Sequence, residues 1–489
     1  MFVLSLVYLL IFFIFNVETF LHFNNNTYVE QLSSNYFYSS IKPKPVPEPY
    51  LISINDELMN LLSLSMIDRK QMAELLSGNK LLSGSKPVAM IYAGHQFGYF
   101  TSQLGDGRAI LLGQINQWAF HAKGTGPTPY SRGGDGRAVL RSSIREYLVS
   151  EAMFHLGIET TRALSLVGSV NLPVYRETIE TAAIVVRVAP IAAFVRMGTF
   201  EIFSVRGQYE QVRQLADFVI NNMYYKPKLD KYRYNHLLID IAHRTGILVA
   251  YWQAFGFTHG VLNTDNMNVI GSTIDYGPFG FVEDKIYGYV PNHSDDEGRY
   301  AFDRQPSIGV WNLAKLRLAL NTLIDTTKHV NEQNEFWLYF NRTYDKLMRQ
   351  KLGLTFYLQS DKWLYEEILR LLDLYHIDYT KFWRELADDI IPKEIQQESW
   401  FSIYKQRLAK EGSYAKKIRR ERMNRINPKY ILRSYMAQIA IEKAQQGDFN
   451  EIDRLLHLLR RPYDEQPDMN DYAKTSPEWA KKLIISCSS

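Results

Sequence analysis

The sequence predicts an α+β chain of two lobes, a β-rich N-terminal lobe followed by a mainly helical C-terminal one. Three observations carry that prediction. Between Tyr92 and Val188, apolar runs broken by glycines read as strands joined by tight loops. From about residue 209 the apolar residues recur at helical spacing. Where the second pattern is under way lies residues 256–280, Gly-Phe-Thr-His-Gly-Val-Leu-Asn-Thr-Asp-Asn-Met-Asn-Val-Ile-Gly-Ser-Thr-Ile-Asp-Tyr-Gly-Pro-Phe-Gly, which reads as a polar loop, a short strand and an acidic turn in series.

That stretch has the spacing of a phosphoryl-transfer site. In protein kinases a His-x-Asp loop is followed by a metal-binding Asn, and a strand then ends in a metal-binding Asp-x-Gly. With His259 aligned on the loop histidine, Asn266 falls at the metal-binding Asn and Asp275-Tyr276-Gly277 at the second ligand. Val261, which cannot accept a proton, stands where the kinase base belongs, and Asp265 sits beside the Asn instead. The reading is a kinase-type nucleotide site that keeps its metal ligands and has moved its base. Mg²⁺ is a hard ion held by one or two protein oxygens plus nucleotide phosphates, and Asn266 and Asp275 carry such oxygens. A strand flanked by polar loops is the plainer alternative.

Composition sets the outer limits. The chain has 489 residues, 46% hydrophobic and 22% charged, with a formal net charge of +4. This is ordinary globular composition, and so mild a basic balance does not argue for nucleic acid as a partner. One cysteine, Cys487, allows neither an intrachain disulfide nor a cysteine zinc site. Residues 2–15 are continuously apolar, but a bilayer span needs about 20 residues. The run has no basic flank and no small-x-small cleavage site. It fits a signal or anchor, a poorly recognisable import sequence, or an extended start. Membrane contact is not expected elsewhere. Asn25, Asn292 and Asn341 open glycosylation-type triplets.

The order of the chain then gives three parts: 1–21, an N-terminal lobe over 22–208, and a helical lobe over 209–489. Residues 41–50, with alternate prolines, read as an extended arm. Residues 55–82 have roughly helical spacing. Leu104-Gly105-Asp106-Gly107-Arg108-Ala109 is a glycine loop whose backbone can approach a phosphate, or an ordinary hairpin turn. The strand Trp118–Lys123 follows it, so a glycine loop precedes a strand lysine, as in a kinase N-lobe. A Gly/Pro-rich loop over 123–137 leads into a helix from about Ala138 to Leu156 with Gly157 as its stop. Glu146 on this helix pairs with Lys123, or else is a surface glutamate. Residues 182–188 read as a buried strand interrupted by Arg187, and Arg196 follows a proline turn. Two such arginines would clamp phosphates. Helices are expected over 211–224, 235–256, 307–325 and 362–375. Residues 405–429 hold ten Lys/Arg against two Asp/Glu, a phosphate- or partner-binding face or a solvated helix face.

Several of these motifs, in this order, resemble the selenoprotein O family, also called YdiU, of pseudokinase-like protein adenylyltransferases. The resemblance covers about residues 22–489. It is carried by Ala93-Gly94-His95-Gln96-Phe97-Gly98, by Leu104–Ala109, by Lys123-Gly124, and by Tyr130-Ser131-Arg132-Gly133-Gly134-Asp135-Gly136-Arg137 running on to Glu146. His259–Met267, Ile274–Phe281, Asn292-His293-Ser294-Asp295 and the terminal Ser486-Cys487-Ser488-Ser489 complete it. The resemblance implies a kinase-like bilobal fold and ATP bound in a flipped orientation, so that AMP passes to Ser, Thr or Tyr hydroxyls of proteins. It also implies UMP transfer from UTP, to Tyr or His. By motif position Asp265 accepts the proton and Asn266 and Asp275 bind Mg²⁺ or Mn²⁺. Gly105, Gly107, Arg108, Lys123, Asp135, Gly136, Arg187, Arg196 and Asp275 face the nucleotide, and Glu146 pairs with Lys123. Bacterial members are expected in the cytoplasm and eukaryotic ones in mitochondria.

Two positions depart from the family pattern. The segment from Pro190 to Arg196 is two residues longer than usual, which weakens the assignment of Arg196. Pro291 stands where a cysteine often precedes Asn-His-Ser/Thr-Asp, which leaves Cys487 without a thiol partner there. Two other readings stay open: a kinase moving the γ-phosphoryl group with Asp265 as a displaced base, and a non-catalytic nucleotide-sensing scaffold.

Overall fold

The structure, a computed structural model, describes residues 22–64, 68–176, 178–223, 230–328, 330–412 and 416–486. The apolar run of 1–21, the last position of the expected 211–224 helix and Cys487 lie outside the described residues.

The chain is a mixed α/β protein. Its strands are β1 (Tyr38–Ser40), β2 (Pro49–Ile54), β3 (Val88–Gln96), β4 (Tyr99–Gly105), β5 (Ala109–Ile115), β6 (Trp118–Lys123), β7 (Ala138–Val139), β8 (Arg162–Tyr175) and β9 (Ile179–Pro190). Among the described residues they form one sheet in the order β1-β3-β5-β6-β9-β8-β2, with β4 on β3 and β7 on β9. Its strand pairs are antiparallel. The β-branched run Ile184–Val186 and Val188 gives β9 a buried face on both sides, which suits a central strand. The β6–β9 register sets His121 opposite Arg187 and Lys123 opposite Val185, so the lysine and the arginine stand on one face of neighbouring strands, two positions apart.

β4 pairs with β3, whereas β5 pairs with β3 and β6. Gly105-Asp106-Gly107 is therefore a crossing between two different pairings, not the hairpin turn that was its simpler reading. The helix Leu140–His155 packs along the sheet with most of its side chains buried, and Gly157 follows it at φ 80°. Residues 55–82 supply two short helices, Asp56–Leu61 and Arg69–Leu76, capped by Asn55 and Asp68. The proline-spaced arm is tied down by Lys44 N donating to Thr125 O at 2.8 Å and by Arg137 donating to the carbonyls of Lys44 and Pro45.

After β9 the described elements are mainly helices. They include Met197–Val205, Tyr209–Asn222, Arg233–Phe255, Gln305–Ala319 and Asp361–Leu374. The Arg233–Phe255 helix stops at Gly256, whose φ of 72° only glycine adopts freely. The chain then forms Phe257–Thr258, which pairs with Gly280–Phe281. This two-stranded ladder closes residues 259–279 into one loop. The short strand expected inside that loop is reduced to isolated bridges, Met267 to Thr273 among them. Asn268 accounts for the difference: its Oδ1 accepts from the amides of Ile270 and Ser272, which makes a turn there instead.

The basic stretch 405–429 turns many of its charges inward or onto carboxylates. Arg407 meets Asp361 and Glu411, Lys416 and Arg419 meet Asp389, and Arg420 meets Asp388. Asn292 is fully buried and donates to Gly260 O at 3.0 Å, so its glycosylation-type triplet is not an accessible one. No described helix is long and apolar enough to cross a membrane.

Candidate active site

A cavity of about 560 Å³ opens between the sheet and the 259–279 loop. Gly105, Gly107, Arg108, Lys123, Asp135, Gly136, Arg187, Arg196, Asp265, Asn266 and Asp275 all line it. Residues more than 150 positions apart thus meet at one surface. Glu146 stands directly behind it.

At the floor, Asp275 has its backbone at φ 55°, an unusual state for a non-glycine residue that is often found at functional sites. Its two oxygens go to different arginines, Oδ1 to Arg187 and Oδ2 to Arg196. Burial alone would raise its pKa, but Arg196, Arg187 and Lys123 outweigh that and hold the carboxyl well below the usual range. Lys123 Nζ donates to Glu146 Oε2 at 2.5 Å, and Arg187 reaches Glu146 Oε1 at 3.1 Å. The expected Lys123–Glu146 contact is therefore present and buried. Burial pulls the lysine below its ordinary pKa, with Glu146 opposing the shift.

Arg196 reaches Asp275 despite the longer Pro190–Arg196 segment. Ile191–Phe194 form a 3-10 turn that carries the chain round, and the guanidinium also donates to the carbonyl of Asp265 at 2.6 Å. It stacks over Tyr92 at 4.5 Å from the ring centre.

Beneath the arginines runs a buried relay that the sequence reading did not assign. His121 Nε2 lies 3.0 Å from Asp106 Oδ2, and Arg187 donates to His121 Nδ1 at 2.6 Å. A nitrogen that accepts from Arg187 carries no proton, so Nε2 donates to Asp106 and the imidazole is neutral. Burial lowers the pKa of His121 in the same direction. Asp106, the middle residue of the glycine loop, thus points inward as a support, and the loop's backbone remains for the cavity.

Asp265 sits in the 3-10 turn Thr264–Asn266. Gln96 Nε2 donates to its Oδ2 at 3.1 Å, while Oδ1 is buried without a hydrogen-bond partner. Burial raises its pKa to about 6, against the pull of Arg196 and Gln96. A cavity-lining carboxyl poised near neutrality is suited to accepting a proton. Val261 lines the same cavity and offers no such group. His259 is buried, with Nε2 2.9 Å from Ile274 O, and so braces the loop.

At the rim, Asp135 receives two hydrogen bonds from Arg176, at 2.9 and 3.0 Å. Gly136 lies against the Gly126 backbone, where a Cβ would come within 2.1 Å of it. Arg108 is exposed at the cavity wall.

The donor set is consistent with a hard divalent cation. Asn266 Nδ2 donates to Val261 O at 2.9 Å, which fixes the amide and leaves its oxygen for another partner. Asp275 adds an ionised carboxylate in the same cavity. Such oxygens suit Mg²⁺ or Mn²⁺.

Sequence reasoning missed Asp106, His121, Gln96, Tyr92 and Arg176 as site residues. Gln96 lay inside a quoted motif. His121 alternates with Lys123 along β6, the one signal that it shares the lysine's neighbourhood.

Comparison with known proteins adds the family. Residues 19–460 match the family model described as "Protein adenylyltransferase SelO". The chain is 45% identical over 485 residues to "Protein nucleotidyltransferase YdiU" of Myxococcus xanthus, covering 95% of this chain and 98% of that protein. It is 46% identical over 476 residues to the protein of the same name from Thiobacillus denitrificans, covering 93% and 96%. The chain belongs to the SelO family of protein adenylyltransferases, and it is an enzyme of the nucleotidyltransferase class.

Proposed function

We propose that this enzyme transfers AMP from ATP to Ser, Thr or Tyr hydroxyls of proteins, with UMP transfer from UTP to Tyr or His as a second activity. The architecture we assign is kinase-like, with residues 22–208 as the N-terminal lobe and 209–489 as the helical lobe. The observation that carries the reading is the placement of Asp265. Asp265 lines the cavity that also holds Asp275, Asn266 and the two arginines, and burial holds its carboxyl near neutrality, while the kinase base position holds Val261.

In this reading the acceptor hydroxyl gives its proton to Asp265 and its oxygen bonds to the α-phosphorus. The bond from that phosphorus to the bridging oxygen of the β-phosphate breaks, and pyrophosphate leaves. Lys123, Arg187, Arg196 and Arg108 contact the phosphates, and Gly105, Gly107, Asp135 and Gly136 line the rest of the nucleotide. Glu146 keeps Lys123 in place. Asn266 and Asp275 would hold Mg²⁺ or Mn²⁺, which supplies positive charge to the phosphoryl oxygens as they become more negative. Cations already fixed in place act in the same direction without reorganising.

The test is a pair of substitutions. Asp265→Ala loses transfer and keeps ATP binding, whereas Asp275→Ala loses both transfer and metal-dependent ATP binding. Full activity in either variant contradicts the assignment.

A further inference from the structure

We propose that Arg299 and Lys315, both held on Trp311 beside the β3–β4 turn, recognise an acidic side chain of the acceptor protein, within about four residues of the hydroxyl that is modified. The inference rests on the reading of Asp265 as the residue that meets that hydroxyl.

Trp311 stands on the helix Gln305–Ala319. The Arg299 guanidinium lies 4.6 Å from its ring centre, and the Lys315 ammonium, one helical turn on, lies 4.6 Å from it as well. Two cations thus share one indole, which orients them without neutralising them. Among the described residues neither forms an ion pair. The acid nearest to Arg299 in its own turn is already used: Asp295 accepts from the amides of Arg299 and Tyr300 at 3.0 and 2.8 Å. Asp296 and Glu297 line a separate hollow with Arg304. Arg299 Nε and Nη2 are buried without a hydrogen-bond partner, and Nη1, beside Gly98, is the nitrogen a ligand can reach. A half-buried guanidinium with no counter-charge gains more from a carboxylate than a solvated one does.

The patch adjoins the catalytic side of the cavity. Gly94 of β3 touches Asp265, and His95, the next residue, has its ring 5.2 Å from Trp311. Gln96 and Phe97 line the cavity, and Gly98 then meets Arg299: a Cβ there would lie 3.5 Å from the guanidinium carbon. Tyr300, beside Arg299, accepts from Phe97 N at 2.8 Å and donates to Asn263 Oδ1 at 2.6 Å, so the turn is fastened to the cavity edge. Gly94 and Gly98 are four residues apart, at most about 13 Å in extended chain. An acceptor segment running from Asp265 along this turn covers the same span in about four residues.

The experiment supplies the full chain with Mg²⁺, ATP labelled at the α-phosphate and either of two peptides. Each has one hydroxyl residue, a tyrosine. One carries glutamates at the second to fourth positions on both sides, and the other carries glutamines there. Casein is a separate acceptor, and Arg299→Met and Lys315→Met are compared with the parent. Methionine keeps the apolar contact on Trp311 and loses the charge. The parent is expected to use the glutamate peptide with kcat/KM higher by about fivefold or more, the size of one or two partly solvated charge pairs. Each variant should lose much of that preference, with the KM for ATP unchanged within about twofold. Equal use of the two peptides by the parent overturns the proposal, as does label on neither while casein is labelled. So does a preference undiminished in either variant, including an equal loss on both peptides, the mark of a structural role. Lys315→Met decides alone where Arg299→Met fails to fold. Absence of label from casein and peptides alike counts against the proposed function itself.

Discussion

Gly94 lies flat against the carboxylate of Asp265. A Cβ at Gly94 would come 2.3 Å from Oδ1 and 2.8 Å from Cγ, closer than any real Cβ contact. β3 passes the loop at this distance because the position has no side chain. Gly94→Ala is therefore expected to displace Asp265 rather than unfold the sheet. Transfer should fall by about tenfold or more, since misplacement by about 1 Å can cost 10²-fold, and ATP binding should persist. Steady-state kcat beside ATP binding by calorimetry checks this.

Glu146 is buried between Lys123 and Arg187. Removing one partner of a buried ion pair leaves an uncompensated charge and costs about 3–5 kcal/mol. Glu146→Ala should lose stability of that order in urea unfolding and also raise the KM for ATP. Glu146→Gln, which keeps shape and one acceptor, should lose less stability.

Arg176 and Asp135 form a partly exposed pair at the rim. Exposed pairs contribute about 0–1 kcal/mol, so Arg176→Ala should hardly move the Tm. It frees Asp135, whose carboxyl is kept below its ordinary pKa first by the Arg176 hydrogen bonds. The KM for ATP should rise several-fold with kcat little changed. An unaltered KM separates Asp135 from nucleotide binding.

Lys351 is a buried lysine among Phe255, Tyr379 and Trp383, with one hydrogen bond to Asn427 Oδ1 at 3.2 Å. Burial lowers its pKa from 10.5 to about 7. Between those values the unfolded chain binds the extra proton, so folding stability rises with pH across that window, by up to about 1.4 kcal/mol per unit. Below about pH 7 both states are protonated and this contribution is flat. Lys351→Met should remove the rise. Urea midpoints measured from pH 7 to pH 10 test it, and an unchanged slope in the variant contradicts it.

Much of this architecture was legible because local patterns agree with it. The alternation and β-branching around Arg187 mark β9, the apolar stripe from Leu140 to Leu148 marks its helix, and the spacing from His259 to Asp275 marks the loop. What escaped depended on contacts between distant segments. Asp106 looks like a turn residue beside two glycines, and only the β5–β6–β9 register shows that it supports His121. Gln96 reaches Asp265 across 169 positions. The strand expected before Asp275 gave way to a turn because Asn268 offers its own hydrogen bonds to the backbone, a competition that apolar periodicity does not record.

The central claim is that the α-phosphorus, not the γ-phosphorus, is the atom attacked. The most direct measurement supplies the full chain and casein with Mg²⁺ or Mn²⁺ and ATP labelled at either the α- or the γ-phosphate. The account predicts label on protein from α-labelled ATP only, and none in Asp275→Ala. Label from γ-labelled ATP alone would make the enzyme a kinase and contradict the account.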